Sequence, residues 1–443
     1  MTRTPSSPTR RGIAFDLFAG GGGLSYGAEA GGFDVALGAD HEGQHVATHH
    51  YNIPYGRGVI ADLSQVSGDD LRRARGQTDE IDMVGLGRPP EAMAAPTAVF
   101  GGPPCQGFSS IGQRDANDPR NQLIGHFMRL VHELQPRYAV CENVPGLLQK
   151  QNQPLLDALL ETIHEIGYNV VTPVRKLHAA DFGVPQNRER VVFLLYRRGE
   201  TPPNYPEPTH TPDPLTSELF LKRTPSVSDA LDDLPDAELF DALLAGDTVR
   251  LDAADWAAAP SAYALQLRGL ANDPDDLSYP RTWDPALLTC SKRTQHAERT
   301  RQLYAETLHG KQAGGGHNLM RLHPEGLSPT LRAGNVGKTI DGIRHSGHTA
   351  PRPIHHRYAR VITVREGMRL HAYPDWVRMH ASKFQGFRQL GNSVPPLMAR
   401  AIAHEIRKAA GLAPDKPVEA LAPGDENLLI ATGRSAQNLL DAA

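Results

Sequence analysis

Residues 13–27 read Ile13-Ala14-Phe15-Asp16-Leu17-Phe18-Ala19-Gly20-Gly21-Gly22-Gly23-Leu24-Ser25-Tyr26-Gly27, and their order decides the fold. The first six, nearly all apolar, predict a strand buried on both faces. Glycines end it, and a helical stretch continues to about Ala30. Strand, glycine turn and helix start are the parts of a nucleotide-type site. The glycines let a ligand approach the backbone, and the helix N-terminus supplies free N–H groups. Val35 to Ala39 predicts a second strand, ending in Asp40 about twenty residues on, where an acid accepts hydrogen bonds from ribose hydroxyls. Asp62 follows Val59-Ile60-Ala61 in the same way. A glycine turn with acids at two successive strand ends points to an adenosine-containing ligand.

Further along, the apolar run Ala98-Val99-Phe100 leads into Gly101-Gly102-Pro103-Pro104-Cys105-Gln106-Gly107-Phe108-Ser109. The prolines fix φ and push their neighbours away from helix, presenting Cys105 on a rigid corner at a strand's carboxyl end. A thiol there is either a nucleophile or a small residue at a turn. Residues 121–135 predict an amphipathic helix stopped by Pro136, and 138–141 a strand running into Glu142-Asn143-Val144. A second helix is expected over 154–166, and the last strands over 169–174 and 191–196. Between these lies Phe182-Gly183-Val184-Pro185-Gln186-Asn187-Arg188-Glu189-Arg190, whose period-two spacing points Arg188 and Arg190 to one face. The alternation predicts a doubly wound, Rossmann-like α/β domain over 13–199, after a loose start at 1–12. It loses its rhythm in 200–345, where an irregular, glycine-punctuated insertion forms a smaller second domain. Residues 346–411 are expected to return to the first domain, through helices near 364–371 and 397–410. Residues 412–443 read as a poorly ordered tail with a short amphipathic segment near Leu428 to Leu440.

The three cysteines, Cys105, Cys141 and Cys290, make no disulfide framework and sit at no metal-ligand spacing, so no metal is expected. No apolar run is long enough to span a membrane, and residues 1–11 lack the apolar segment of a secretory signal; a cytoplasmic protein is expected. The net charge of −4 is unevenly spread. Residues 200–276 are acidic, and the sign reverses from Arg281 onward. That is either a footprint for phosphate or a surface with local counter-charges.

In this order the pieces resemble the DNA cytosine-5 methyltransferases, from about Ile13 to about Ala410. Asp16-Leu17-Phe18-Ala19-Gly20 is similar to the family's S-adenosylmethionine loop, and Gly102-Pro103-Pro104-Cys105-Gln106 to its nucleophile motif. Glu142-Asn143-Val144 resembles the catalytic glutamate motif, and Gln186-Asn187-Arg188-Glu189-Arg190 the substrate-contacting arginine motif. Arg321-Leu322-His323-Pro324 through Ser328-Pro329-Thr330-Leu331-Arg332 resembles the block after the recognition region, and Gly391-Asn392-Ser393-Val394 the terminal motif that closes the cofactor pocket.

The resemblance implies that 13–199 binds S-adenosylmethionine and carries the chemistry, that 200–345 reads double-stranded DNA, and that 346–411 closes the pocket. It implies Cys105 as nucleophile at cytosine C6, Glu142 at N3 and the exocyclic amine, and Arg190 at O2 with Arg188 in support. For the cofactor it implies the loop Phe18, Ala19, Gly20, Gly22, Gly23 and Leu24. Asp40 is expected on the ribose and Asp62 on the adenine amine, with His41, Leu63, Pro104, Asn392 and Val394 around them. Chemistry on a stacked base requires flipping it out. Ile111 is expected either to fill the vacated stack or simply to pack its loop, with Ser109 on a phosphate. Lys292, Arg293 and Gln295 are residue types suited to DNA contacts. The chain would be a monomer, and either the modification half of a restriction-modification system sharing its site with an endonuclease or an orphan methylase. A nicotinamide dehydrogenase would leave Cys105 and the arginine pair idle. The tRNA-methylating branch would carry a Cys-Phe-Thr signature that is missing here.

Overall fold

The computed structural model describes residues 11–76, 95–104, 122–213, 215, 221–314, 319–333, 339–340, 343–344 and 352–442. Cys105, Ser109, Ile111, the 107–121 loop and the stretch Met83 to Pro90 lie outside the described residues.

The core is one sheet of β1 (Gly12–Leu17), β2 (Phe33–Asp40), β3 (Arg57–Ile60), β4 (Ala98–Gly101), β5 (Tyr138–Asn143), β6 (Tyr168–Val170), β7 (Arg175–His178) and β9 (Glu189–Arg197). Its order is β3-β2-β1-β4-β5-β9-β6, with β7 also along β9. A two-residue strand, β8 (Gln186–Asn187), precedes β9 and pairs with Ser328–Pro329 instead. The β1–β5 pairings are parallel, and β9 runs antiparallel to β5. This is the doubly wound, Rossmann-like arrangement the sequence predicts, with one antiparallel strand inserted. Its strand order reverses at β1, opening a crevice between the carboxyl ends of β1 and β4.

Helices cover both faces: α1 (Gly23–Ala30), α2 (Gly43–Asn52), α3 (Gly68–Gly76), α4 (Gln122–Leu134), α5 (Gln153–Glu165), α6 (Val364–Leu370), α7 (Lys383–Asn392), α8 (Pro396–Ala409) and α9 (Arg434–Ala442). Under α4 and α5, Phe127, Leu130, Val131, Leu134, Leu159 and Ile163 meet Phe15, Val99 and Phe193. On the other face α1 lies against α8. A Cβ built on Gly27 would fall 2.2 Å from the Ala399 Cβ, and one on Gly31 2.4 Å from that of Ala403. Gly27 on α1 and Gly31 at its C-cap, four residues apart, thus allow the two backbones to approach closely.

Much of the insertion is no separate body. Tyr205, Val227, Leu231, Leu288 and Cys290 join the same apolar cluster as Val140 and Leu194 of the sheet. Arg281 pairs with Glu29 at 2.7 Å, and the Leu277 amide donates to Ala30 O. A small cluster of its own gathers Tyr304, Ala313, Ile354 and Val361.

One expectation needs correction, and of the two readings of the charge distribution the structure favours local counter-charges. The end of the 412–443 segment is packed, not loose: Leu428, Leu429, Ala436 and Leu440 bury against Val46, Ala47 and Tyr51 of α2, while most of 413–427 runs exposed over the surface. The sequence showed the amphipathic stripe but not the partner helix. The acidic and basic halves mostly neutralise each other within the fold. Asp232 holds His356 at 2.6 Å, Asp233 holds Arg369 at 3.1 Å, Asp236 holds Arg360 at 2.8 Å and Asp241 holds Arg293 at 2.5 Å. Charge asymmetry along the chain is therefore not charge asymmetry in space. No helix among the described residues is long and apolar enough to cross a membrane.

Candidate active site and cofactor crevice

Parallel pairing of β4 with β5 brings Gly101 beside Cys141, so both strands release their next residues at one edge. Glu142 and Asn143 are the last residues of β5, and both are buried. The Glu142 side chain reaches toward Gly102, where a Cβ would stand 2.8 Å from Oε2. A side chain at Gly102 would have to displace the Glu142 carboxylate from this position. Asn143 Nδ2 donates to Pro103 O at 3.3 Å and ties down the strand end that leads to Cys105. Arg190 enters from β9, its Nε 2.6 Å from Glu142 Oε1. A carboxylate and a guanidinium thus meet three residues before the cysteine, next to the sheet's switch point.

Arg188 does not accompany Arg190. It sits in the break between β8 and β9, fully buried, so the period-two expectation fails at that break. Its Nη1 donates to Leu331 O at 3.0 Å, and its Nη2 to Gly391 O at 3.0 Å and Ser393 O at 2.6 Å. Burial, then the Arg190 cation, lowers its proton affinity. Arg188 joins the block around 331 to the loop after α7, which makes it a positioning residue.

The glycine turn follows β1 with Phe18 in the left-handed region (φ 61), as are Gly20 (φ 53) and Gly22 (φ 81). Asp40 anchors it: Oδ2 accepts from Gly20 N at 3.0 Å and Oδ1 from Glu42 N at 2.9 Å. Burial raises the Asp40 carboxyl, but His45, His41 and the Glu42 amide outweigh it and hold the group well below the usual range. With both oxygens engaged, Asp40 shapes the turn as well as facing the crevice. His41 is largely exposed, and its Nδ1 lies 3.1 Å from Asp40, which raises its pKa. Asp62 is exposed at the end of β3, with Ser64 N and Oγ both on Oδ1. Leu63 turns inward to the core under α4.

The chain's far end meets the turn directly. A Cβ on Gly23 would lie 2.1 Å from Val394 O, and one on Gly21 3.1 Å from Gln389 Cβ. Gly23 is thus small for the sake of this contact. Val394 is buried in the core with Leu24, whereas Asn392 is exposed at the end of α7. Arg388 forks onto both Glu42 oxygens and holds α7 over the end of β2. The Phe18–Gly22 turn, His41, Asp62 and Pro104 thus follow the carboxyl ends of the adjacent strands β1, β2, β3 and β4, and the end of α7 that carries Asn392 packs against the turn. The exposed carboxylate of Asp62 and the exposed amide of Asn392 are groups that fit the hydroxyls and amine of an adenosine.

Sequence reading missed Asp16–Ser25–His49 beneath the turn. Ser25 Oγ lies 2.6 Å from Asp16 Oδ2 and 2.8 Å from His49 Nε2, all three buried. Burial pushes Asp16 up to about 7 against the Ser25 hydrogen bond, and pulls His49 down to about 3. It also missed Gln186, which accepts from Leu331 N and donates to Leu370 O. A third omission is the ion network of α6, where Arg360 holds Glu366 and Arg369 holds Asp233 and Asp375. One signal was available: Thr363 with Glu366 three residues on is a capping box.

Of the residues expected on DNA, Gln295 is exposed, Lys292 Nζ donates to Ala245 O at 2.7 Å and Arg293 is paired with Asp241. The described residues contain no group of histidines, cysteines and carboxylates able to hold a metal. His45, His49, His50, His355 and His356 are all buried in the fold.

Comparison with known proteins gives this geometry its context. The C-5 cytosine-specific DNA methylase family matches residues 13–408. The chain is 44% identical over 420 residues to the Type II methyltransferase M.XorII of Xanthomonas oryzae pv. oryzae, covering 95% of this chain and 90% of that protein. It is 29% identical to M.DdeI of Desulfomicrobium norvegicum, covering 88% and 87%. Among solved structures, an E. coli prophage-encoded protein described as a DNA modification methyltransferase superposes with a TM-score of 0.66 at 28% identity, covering 90% of this chain and 99% of that one. The chain belongs to the C-5 cytosine-specific DNA methylase family and is a DNA (cytosine-5-)-methyltransferase.

Proposed function

We propose that this enzyme methylates C5 of a cytosine flipped out of duplex DNA at a specific sequence, through a covalent bond between Cys105 and C6. The observation that carries the reading is the 2.6 Å Glu142–Arg190 pair beside Gly102, at the same sheet edge as the glycine turn.

Cytosine C5 is a weak nucleophile. Addition of the Cys105 thiolate to C6 moves the ring electrons onto C5 and N3. Glu142 would sit at N3 and the exocyclic amine, stabilising the proton there, while Arg190 holds both Glu142 and the base O2. S-adenosylmethionine, when bound, supplies an electrophilic methyl on sulfur and leaves as S-adenosylhomocysteine. Phe18, His41, Asp62 and Asn392 would hold it, with Asp40 fixing the turn beneath, Leu63 packed into the core behind Asp62 and Pro104 forming the wall toward the base. After transfer, loss of the C5 proton expels Cys105 and restores the ring. Ser109 and Ile111 would follow the target strand, Ile111 filling the gap left in the stack. Gln295, with Lys292 and Arg293, would lie along the duplex. The likeness to Type II methyltransferases supports the modification half of a restriction-modification system over an orphan methylase, and a partner endonuclease would then cut the same site.

Expression in a host lacking cytosine methylation, followed by bisulfite sequencing, tests the reading. A single short motif should become methylated, and Cys105→Ala should abolish this while still binding S-adenosylmethionine. Methylation persisting in that variant would refute the nucleophile.

A further inference from the structure

The internal pairing of acidic and basic halves leaves certain cations without a counter-charge, and three of them converge. Lys383 is the first residue of α7, its Nζ donating to Arg293 O at 2.8 Å and Thr294 Oγ1 at 2.7 Å. These contacts set it beside Lys292. Arg352 lies over the Phe387 ring, 4.4 Å from its centroid, and Phe387 is one turn along α7 from Lys383. Among the described residues no carboxylate forms an ion pair with Lys292, Arg352 or Lys383. Their neighbours differ: Arg293 has Asp241, Arg301 has Glu238 and Arg388 has Glu42.

Holding three like charges together costs free energy unless an anion joins them. Burial, then Arg352 and Lys292, pushes the Lys383 ammonium down to about 8. Lys383 also occupies the first helical turn, where the macrodipole disfavours a cation. Thr294 and the exposed Gln295 add polar groups alongside. The arrangement has the composition of a phosphate site.

We propose that Lys292, Arg352 and Lys383 form a clamp for backbone phosphodiesters of the duplex being methylated, which rests on the function proposed above. The cluster lies at the opposite end of α7 from Asn392, nine residues or roughly 13 Å along the helix axis. One rigid element would therefore grip the DNA backbone at its start and close the cofactor crevice at its end. None of the three needs to read sequence; phosphate contacts set register and orientation.

The test is the salt dependence of duplex binding by the full chain, measured by fluorescence anisotropy for Lys383→Gln, Arg352→Gln and their combination. Each cation that neutralises a phosphate contributes about −0.9 to the slope of log K against log salt, so the double variant should lose about 1.8 units. Its affinity deficit relative to wild type should then shrink about 12-fold between about 50 and 200 mM salt. Melting temperature and S-adenosylhomocysteine affinity should hold, and Lys408→Gln, on the far helix α8, should keep the wild-type slope. Arg352→Gln removes no hydrogen bond within the described residues, so it stays informative if Lys383→Gln fails to fold. An unchanged slope in Arg352→Gln and the double variant overturns the clamp. So does sub-millimolar binding of inorganic phosphate that the variants abolish without altering the DNA slope, which would mark a free-anion site. If wild type methylates host DNA while the variants keep the full slope, the clamp is wrong and the function stands; if wild type methylates nothing, both fall.

Discussion

Arg188→Met separates a residue that touches the base from one that builds the pocket around it. The guanidinium is fully buried and donates to three buried carbonyls, those of Leu331, Gly391 and Ser393. Methionine keeps the length and apolar stem but leaves the Leu331 and Gly391 carbonyls unmet, each costing about 1–3 kcal/mol, while Ser393 O keeps only His371 Nε2 at 3.1 Å. Removing a buried cation offsets part of this, leaving a net loss of about 4 kcal/mol. With an unfolding entropy of about 2.1 cal/mol/K per residue, a chain of 443 residues should melt about 4 °C lower. The Gly391–Val394 loop abuts Gly21 and Gly23, so its release should also weaken cofactor binding by about tenfold, equal to about 1.4 kcal/mol. Differential scanning fluorimetry and calorimetry with S-adenosylhomocysteine read the two effects. Unchanged melting and cofactor affinity with turnover alone abolished would refute the positioning role and return Arg188 to the base.

Other consequences follow from the same geometry. Asp16 has a folded pKa of about 7 against an ordinary 3.8, so the fold prefers its proton. Its contribution is complete below about pH 4 and lost as pH rises through 7, a change of about 4 kcal/mol. Asp16→Asn should flatten the stability profile between pH 5 and 8; an identical profile would contradict the burial argument. Gly27→Ala would place a methyl 2.2 Å from Ala399, and the overpacking should cost about 1–3 kcal/mol despite alanine's better helix propensity. Unaltered denaturation midpoints would show that α1 and α8 are not in contact. Glu142→Gln should lower kcat by about 10²–10⁴ with cofactor affinity intact. Cofactor loss of the same size would place Glu142 in the wrong pocket.

The sheet was legible because parallel strands buried on both faces leave dense apolar runs: β1, β4 and β9 fall within a residue or two of their sequence positions. So was the convergence of Glu142 and Arg190, since both belong to segments that leave the sheet at one edge. Helix α2 was not, because it is buried on nearly every side and His45, His49 and His50 interrupt the apolar pattern of Val46, Ala47 and Tyr51. Helix α7 was hidden by its glycines at 386 and 391. The buried arginines escaped for a different reason. Arginine reads as surface by type, and whether Arg188, Arg360 or Arg369 is buried depends on carbonyls and carboxylates supplied from distant parts of the chain. The charge reversal near Arg281 left two readings open for the same reason, since the counter-charges that decide between them lie across the fold and not along the sequence.

The central claim is that Cys105 bonds to cytosine C6 within reach of Glu142 and Arg190. Duplex DNA with every cytosine replaced by 5-fluorocytosine tests it without knowledge of the recognition sequence, since fluorine at C5 prevents the final elimination. Incubation with S-adenosylmethionine should give a denaturation-resistant protein–DNA adduct, and peptide mass spectrometry should place the modification on Cys105. Methyl transfer to ordinary DNA without such an adduct, or an adduct on another residue, would contradict the account.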